Sequence, residues 1–137
     1  MIIRFFSVIF LFLSVVVFTP SNVKASTSDL PECVVISHCV RQDFKVNDLE
    51  STFKKAVKII ENTARTKIVE KSNSYIHAEA QTKWRRYTDD LLVKAIPDKG
   101  IIQIRSESRV GVGDNGVNQK RIDDLAYRLM TERDITN

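Results

Sequence analysis

The sequence has few of the residues from which catalytic and metal-binding motifs are built. Its 137 residues include two histidines, two cysteines, one tryptophan and four glycines. It has no H-E-x-x-H motif, no paired C-x-x-C motifs and no Ser-His-Asp order, so a metalloenzyme or a hydrolase has little support. We therefore expect no cofactor and no bound metal ion.

The net charge is small for a protein that binds nucleic acid. The formal charge of the whole chain is +4, and Arg4 and Lys24 lie in the first 25 residues, which contain no acid. Without that segment the chain would carry +2. Nucleic-acid-binding proteins use dense basic patches, so we expect no nucleic-acid partner.

Residues 1–25 have the features of a secretory signal peptide. Arg4 supplies the positive start, residues 5–18 are apolar apart from two serines, and residues 23–25 (Val-Lys-Ala) suit a signal peptidase. The apolar segment is shorter than the roughly 20 residues of a membrane span. We expect cleavage after Ala25 and export to the periplasm, or to the thylakoid lumen if the source is cyanobacterial. The alternative is an uncleaved leader, which would be the chain's only membrane attachment.

Residues 26–46 form an N-terminal segment that contains both cysteines. Two cysteines in an exported chain most often form a disulfide, so we expect Cys33 to bond to Cys39. The alternative is a metal site that uses both cysteines and His38, with or without His77. Zinc ligands usually have tighter paired spacings than these, which favours the disulfide.

Two later segments have the apolar spacing of helices. The first opens at Asn47, and Glu50 completes an N-terminal capping pattern. The second begins near Asp114 or Asn115. In both segments, the residues predicted to face the core recur every three to four positions, so they lie on one side of the helix. The inward residues are Leu49, Phe53, Val57, Ile60 and Ala64 in the first helix and Asn118, Ile122, Leu125 and Leu129 in the second.

Between the helices the repeat changes to two, which is the spacing of β-strands. The predicted strands are 66–70, 75–83, 88–96 and 101–110. Short connections favour an antiparallel meander. We predict a single α+β domain over residues 47–131, in which a four-stranded antiparallel meander packs two flanking helices on one face in the order α-β-β-β-β-α. We expect residues 132–137 to be a frayed tail.

The polar face of this sheet is a candidate binding face. Strand alternation places five charged or titratable residues on it: His77, Glu79, Arg105, Glu107 and Arg109. The simpler interpretation is a set of cross-strand pairs that needs no ligand. The functional interpretation is a surface on which arginines bind a carboxylate or phosphate and His77 carries a proton. Asp89 and Asp90 point to opposite faces, so they cannot hold one metal together.

Two connections also draw attention. Trp84 with Arg85 and Arg86 could mark a partner surface, or the tryptophan could cover the sheet edge. The loop before the last helix is a candidate loop–helix junction, formed by Gly111, Gly113, Asp114, Gly116, Asn118 and Arg121. Its G-x-G-x-x-G spacing lacks the second parallel strand that a dinucleotide site requires. The simpler interpretation is that the glycines permit positive φ and that Asp114 or Asn115 caps the helix.

Three blocks of the sequence resemble a known family. They are Cys33 to Cys39, Tyr75-Ile-His-Ala-Glu79 with Asp89-Asp90 downstream, and Arg105-Ser-Glu-Ser-Arg109-Val-Gly111 continuing to Asp114, Gly116, Asn118 and Arg121. In these blocks the chain resembles the bacterial and algal proteins catalogued as domain of unknown function 1499. The resemblance covers about residues 33–129. It implies a small domain, often exported or membrane-associated, with no assigned activity.

Two functional hypotheses follow. The first is a small exported, non-catalytic binding or accessory protein whose partner is a protein or a small anionic ligand. The small size of the chain and its lack of a catalytic motif favour this hypothesis. The alternative is an enzyme that uses His77 and Glu79 as acid and base, with Arg105 and Arg109 as anion anchors.

Overall fold

The computed structural model describes residues 29–131. The predicted signal peptide with its cleavage after Ala25, and the predicted tail at residues 132–137, lie outside the described residues. The elements, in chain order, are β1 (Cys39–Lys45), α1 (Leu49–Glu61), β2 (Thr66–Lys71), β3 (Tyr75–Gln81), β4 (Thr88–Ile96), a 3-10 turn (Pro97–Lys99), β5 (Ile101–Ser108) and α2 (Val117–Thr131). No helix in this range is long and apolar enough to cross a membrane.

The α+β class is confirmed, but the predicted number of strands was wrong. The sheet has five antiparallel strands in the order β1-β5-β4-β3-β2. The additional strand is β1, which lies in the segment assigned to the cysteine pair. It pairs with β5 so that Cys39 faces Glu107 and Lys45 faces Ile101. This pairing joins segments some 60 residues apart, and an edge strand with one half-polar face has a weak periodic signal.

Both helices pack on the apolar face of the sheet. One core cluster joins residues of α1 and α2 to alternate residues of β3, β4 and β5. Its fully buried members include Ile60, Ile76, Val93, Ile104 and Ile122. The first helix begins one residue later than predicted, because Asp48, rather than Asn47, accepts a hydrogen bond from the Ser51 amide and caps it.

The N-terminal segment covers part of the opposite, polar face. The Leu30 amide donates to Gln103 Oε1 at 2.5 Å, and Arg41 Nη1 donates to the Leu30 carbonyl at 2.6 Å. Leu30 is buried as a result. The polar face over β5 is therefore largely covered, whereas the polar face over β2 and β3 is more exposed.

Candidate functional site

Four connections meet at one end of the sheet. They are residues 31–38 before β1, 62–65 between α1 and β2, 82–87 between β3 and β4, and 109–116 between β5 and α2. The strand register brings these connections together, because Gln81 at the end of β3 faces Thr88 at the start of β4, and Asp89 faces Ser108 at the end of β5. We call these four connections the loop end.

A buried polar network lies beneath the loop end, centred on Asn118. The Asn118 side chain is fully buried, and its Nδ2 donates to the His38 carbonyl and to Ser108 Oγ, both at 2.9 Å. Its Oδ1 accepts from Ser106 Oγ at 2.6 Å and from Arg121 Nη1 at 2.7 Å. This one amide therefore ties the start of α2 to β5 and to the segment before β1.

The same network holds a buried ion pair. Arg121 Nη2 donates to Asp89 Oδ2 at 2.7 Å, and Asp89 is only 1% exposed. Its other oxygen, Oδ1, has no hydrogen-bond partner among the described residues. Asp90, the next residue, lies on the opposite face of the sheet, so the two acids do not form a joint site. The buried Asp89 carboxylate is thus held in the network through its Oδ2 atom.

Two loops of the loop end are fastened to each other. Ser37 Oγ donates to the Val112 carbonyl at 2.5 Å, and the Asp114 amide donates to the Ser37 carbonyl at 3.2 Å. The predicted disulfide between Cys33 and Cys39 is confirmed and closes the loop that carries Ser37. These cysteines are bonded to each other, so they do not form the alternative metal site. Within residues 29–131 no three His, Cys, Asp or Glu side chains are grouped to hold a metal ion.

The predicted loop–helix junction is formed around Asp114. Its carboxylate accepts from the amides of Gly116 at 2.9 Å and Asn118 at 2.8 Å. Burial alone would raise the pKa of Asp114, but these amides outweigh it and the pKa lies below the usual value. Gly111 and Gly116 have the expected positive φ, whereas Gly113 does not. The helix itself begins at Val117, slightly later than predicted.

An open cleft of about 870 Å³ lies between the two helices and the loop end. Asp89, Ser108 and Arg121 contribute to its polar floor, and Trp84 and Tyr87 lie at its rim. Among the described lining residues, six are cationic and three are acidic. The cations are Arg65, Lys83, Arg85, Lys120, Arg121 and Arg128, and the acids are Asp89, Asp114 and Asp124.

The loop end also carries most of the exposed large apolar side chains. Among the described residues there are eleven, and seven lie in its loops: Val34, Val35, Ile36, Trp84, Tyr87, Val110 and Val112. The four most exposed are all in this set, from Ile36 at 84% to Val112 at 91%. Such side chains are thus concentrated at one end of the molecule, although exposed apolar residues are usually scattered singly.

The predicted binding face is brought together only in part. His77 Nε2 lies 2.6 Å from Asp90 Oδ1, and Arg109 contacts both oxygens of Asp90 and, at 2.7 Å, Glu79. The hydrogen bonds from Arg109, and secondly from His77, hold the pKa of Asp90 below its usual value. The same two acids raise the pKa of Arg109. Three of the five predicted residues therefore form one ion-pair cluster with Asp90, a residue that the face prediction omitted.

The other two predicted residues form a separate pair. Arg105 Nη2 donates to Glu107 Oε2 at 2.7 Å. The expectation that Arg105 is exposed was wrong, because it is only 7% exposed. Its guanidinium lies beneath the N-terminal segment and contacts the Glu32 carbonyl at 3.5 Å. A strand pattern assigns a residue to a face, but it does not show which distant segment covers that face.

The buried network was the larger omission, although the sequence held a signal for it. Ser106 and Ser108 alternate onto the apolar face of β5, and Asn118 lies in the inward stripe of α2. Polar side chains at inward positions need hydrogen-bond partners. Three of them on adjoining elements predict a shared network.

The pattern of one family, described as "Protein of unknown function (DUF1499)", matches residues 16–129. A comparison with curated proteins gives no significant match. The matched range includes the loop end, the buried network and the cleft between them. Since the match covers most of the sequence, the chain belongs to the DUF1499 family of proteins of unknown function.

Proposed function

We propose that the protein is a small exported, non-catalytic binding protein that holds an anionic ligand with an apolar portion in the cleft. The cationic excess of the cleft lining carries this proposal. Each acid there is already engaged: Asp89 by Arg121, Asp124 by Lys120, and Asp114 by the amides that it caps. These ion pairs cancel Arg121 and Lys120, so the positive excess rests on the remaining cleft cations.

Three of the cleft cations remain available for a ligand. Arg65, Lys83 and Arg85 make no ion pair with any acid of residues 29–131. The Lys83 ammonium lies 5.3 Å from the Trp84 ring centroid. Arginine and lysine bind carboxylates and phosphates through charge-assisted hydrogen bonds. Ligand sites combine a few such polar groups with apolar walls, which the aromatic rim supplies.

The only tryptophan makes the binding test direct. Trp84 lies at the rim, so its fluorescence should change saturably with decanoate or decyl phosphate below their micelle concentrations. Decanol has the same apolar portion without the charge and should bind about tenfold more weakly. No saturable change with either anion, or an equal response to decanol, would contradict the proposal.

Two variants refine this test: one removes a cleft cation, and the other removes a nearby cation outside the cleft. Arg65→Asn removes a cleft cation and keeps a residue type that accepts the observed φ of 57°. It should weaken decanoate binding about tenfold. Lys67→Asn removes an exposed cation of β2 that does not line the cleft, so it should leave binding unchanged.

Export is the second part of the proposal. The disulfide supports it, because disulfides persist mainly in oxidising compartments. N-terminal sequencing of the protein purified from its native envelope should give Ser26 as the first residue. An intact Met1 in the membrane fraction would show that the leader is retained.

The alternative is an enzyme in which His77 and Glu79 act as acid and base. One observation favours it: the 2.6 Å contact between His77 and Asp90 would orient the imidazole for proton transfer. The proposed anchors argue against it, since Arg109 is held by two carboxylates and Arg105 is buried against Glu107. A turnover activity that disappears in His77→Gln, with decanoate binding retained, would favour the enzyme.

A further inference from the structure

The loop end combines exposed apolar side chains with a basic, aromatic connection. In that connection Lys83, Arg85 and Arg86 flank Trp84, and Tyr87 follows. All five are exposed. Tryptophan and tyrosine favour the interface between water and lipid, because their rings are apolar at one end and polar at the other.

The apolar residues come from loops that are held in place. Ile36 and Val112 are among the most exposed large apolar side chains of the described residues. Their loops are joined by the Ser37–Val112 hydrogen bond, and the disulfide closes the first of them. An ordered set of protruding apolar side chains incurs little ordering entropy when it inserts into a surface.

The charge at this end matches an anionic surface. Lys83, Arg85 and Arg86 have no ion-pair partner among residues 29–131, whereas Glu32 is paired with Arg41 and Asp114 caps α2. Each basic residue near an anionic bilayer strengthens binding about fivefold. Three such residues together would therefore contribute on the order of a hundredfold.

From these observations we infer that the loop end docks on the surface of an anionic lipid bilayer, with Trp84, Ile36 and Val112 in the interfacial layer and the basic residues beside the lipid phosphates. This attachment is separate from the leader and goes beyond the proposed function. The apolar side chains project from three loops, and four of the seven, Ile36 and Val112 among them, lie outside the cleft. That arrangement suits a broad lipid surface better than a single peptide.

Trp84 again provides the readout. The leader contains no tryptophan, so Trp84 fluorescence in the full chain reports on the loop end alone. Vesicles of phosphatidylcholine with phosphatidylglycerol should shift its emission to the blue, and brominated lipids should quench it. Vesicles of phosphatidylcholine alone should need about a hundredfold more lipid for the same shift.

Two variants that keep Trp84 test the two contributions separately. Replacement of Lys83, Arg85 and Arg86 by serine should raise the lipid requirement about a hundredfold. Replacement of Ile36 and Val112 by serine should raise it on the order of tenfold. The charge-matched control replaces Lys45, Lys54 and Lys58, exposed lysines outside the loop end, and should behave as the unmodified protein.

The outcomes separate this inference from the proposed function. The Ile36 and Val112 variant should lose vesicle docking and keep decanoate binding, because neither residue lines the cleft. The Arg65→Asn variant keeps all the apolar side chains and Lys83, Arg85 and Arg86, so it should weaken decanoate binding about tenfold and raise the lipid requirement by no more than about fivefold. The inference fails if Trp84 emission is unchanged by anionic vesicles, or if the lysine control loses as much docking as the loop-end variants. A blue shift with an acidic, apolar peptide but not with vesicles would identify a protein partner instead, and would also overturn it.

Discussion

Replacement of Asn118 by alanine is the sharpest test of how the loop end is held. The side chain makes four hydrogen bonds and is fully buried. A neutral hydrogen bond contributes about 0.5–1.5 kcal/mol net, and one to a charged group about 1.5–3 kcal/mol. Simple addition overstates the loss, because some partners keep other contacts.

Those remaining contacts set the expected magnitude. Without Asn118, Arg121 still binds Asp89 and Ser106, and the His38 carbonyl still accepts from the Ser108 amide. We therefore expect Asn118→Ala to lower the free energy of unfolding by about 2–4 kcal/mol. A domain of this size has a total stability of about 5–15 kcal/mol. The melting temperature should accordingly fall by roughly 10–30 °C.

Urea unfolding followed by circular dichroism measures this change. Asn62→Ala is the matched control, since that exposed amide makes one hydrogen bond, to the Lys58 carbonyl at the end of α1. Surface substitutions usually change stability by less than about 0.5 kcal/mol. If the two variants lie within about 0.5 kcal/mol of each other, the network does not hold the loop end and the reasoning is wrong.

Three further predictions concern stability. Arg105→Ala should lower the free energy of unfolding by about 1–3 kcal/mol, because it removes the buried guanidinium that pairs with Glu107. Arg109 is exposed, so Arg109→Ala should lower it by less than about 1 kcal/mol. Equal urea midpoints for the two variants would contradict this prediction. Gly116 has a φ of 78° and open space around its Cα, so Gly116→Ala should lower the free energy of unfolding by about 1 kcal/mol through backbone strain alone. Gly113 has no positive φ, so Gly113→Ala should lower it by less. The reverse order would refute the strain argument. The pKa of Asp90 is lowered in the folded state, so its contribution is complete above the unfolded value of about 3.9 and is lost as pH falls below it. The Asp90→Asn variant should therefore be less stable than the unmodified protein at pH 7 and should lose less stability as the pH is lowered. If the two proteins lose the same stability between pH 7 and pH 3, this prediction is wrong.

The sequence by itself determined the local structure. The 3.6-residue and two-residue repeats identified both helices and the four consecutive strands β2 to β5, because these repeats reflect which side of each element faces the core. The two-residue repeat also placed Asp89 and Asp90 on opposite faces, and capping preferences predicted a helix cap at Asp114 or Asn115. The two cysteines, in a chain expected to be exported, favoured the disulfide over a metal site. The export signal stays a prediction.

Only the tertiary structure decided how distant segments meet. The pairing of β1 with β5 and the cover that Leu30 provides over Gln103 both join residues far apart in the chain. Periodicity contains no information about such pairings, which depend on loop closure and on how well whole surfaces pack. For this reason Arg105 was placed on the right face but with the wrong exposure. The loop end and the network under Asn118 exist only because four connections converge on one edge of the sheet.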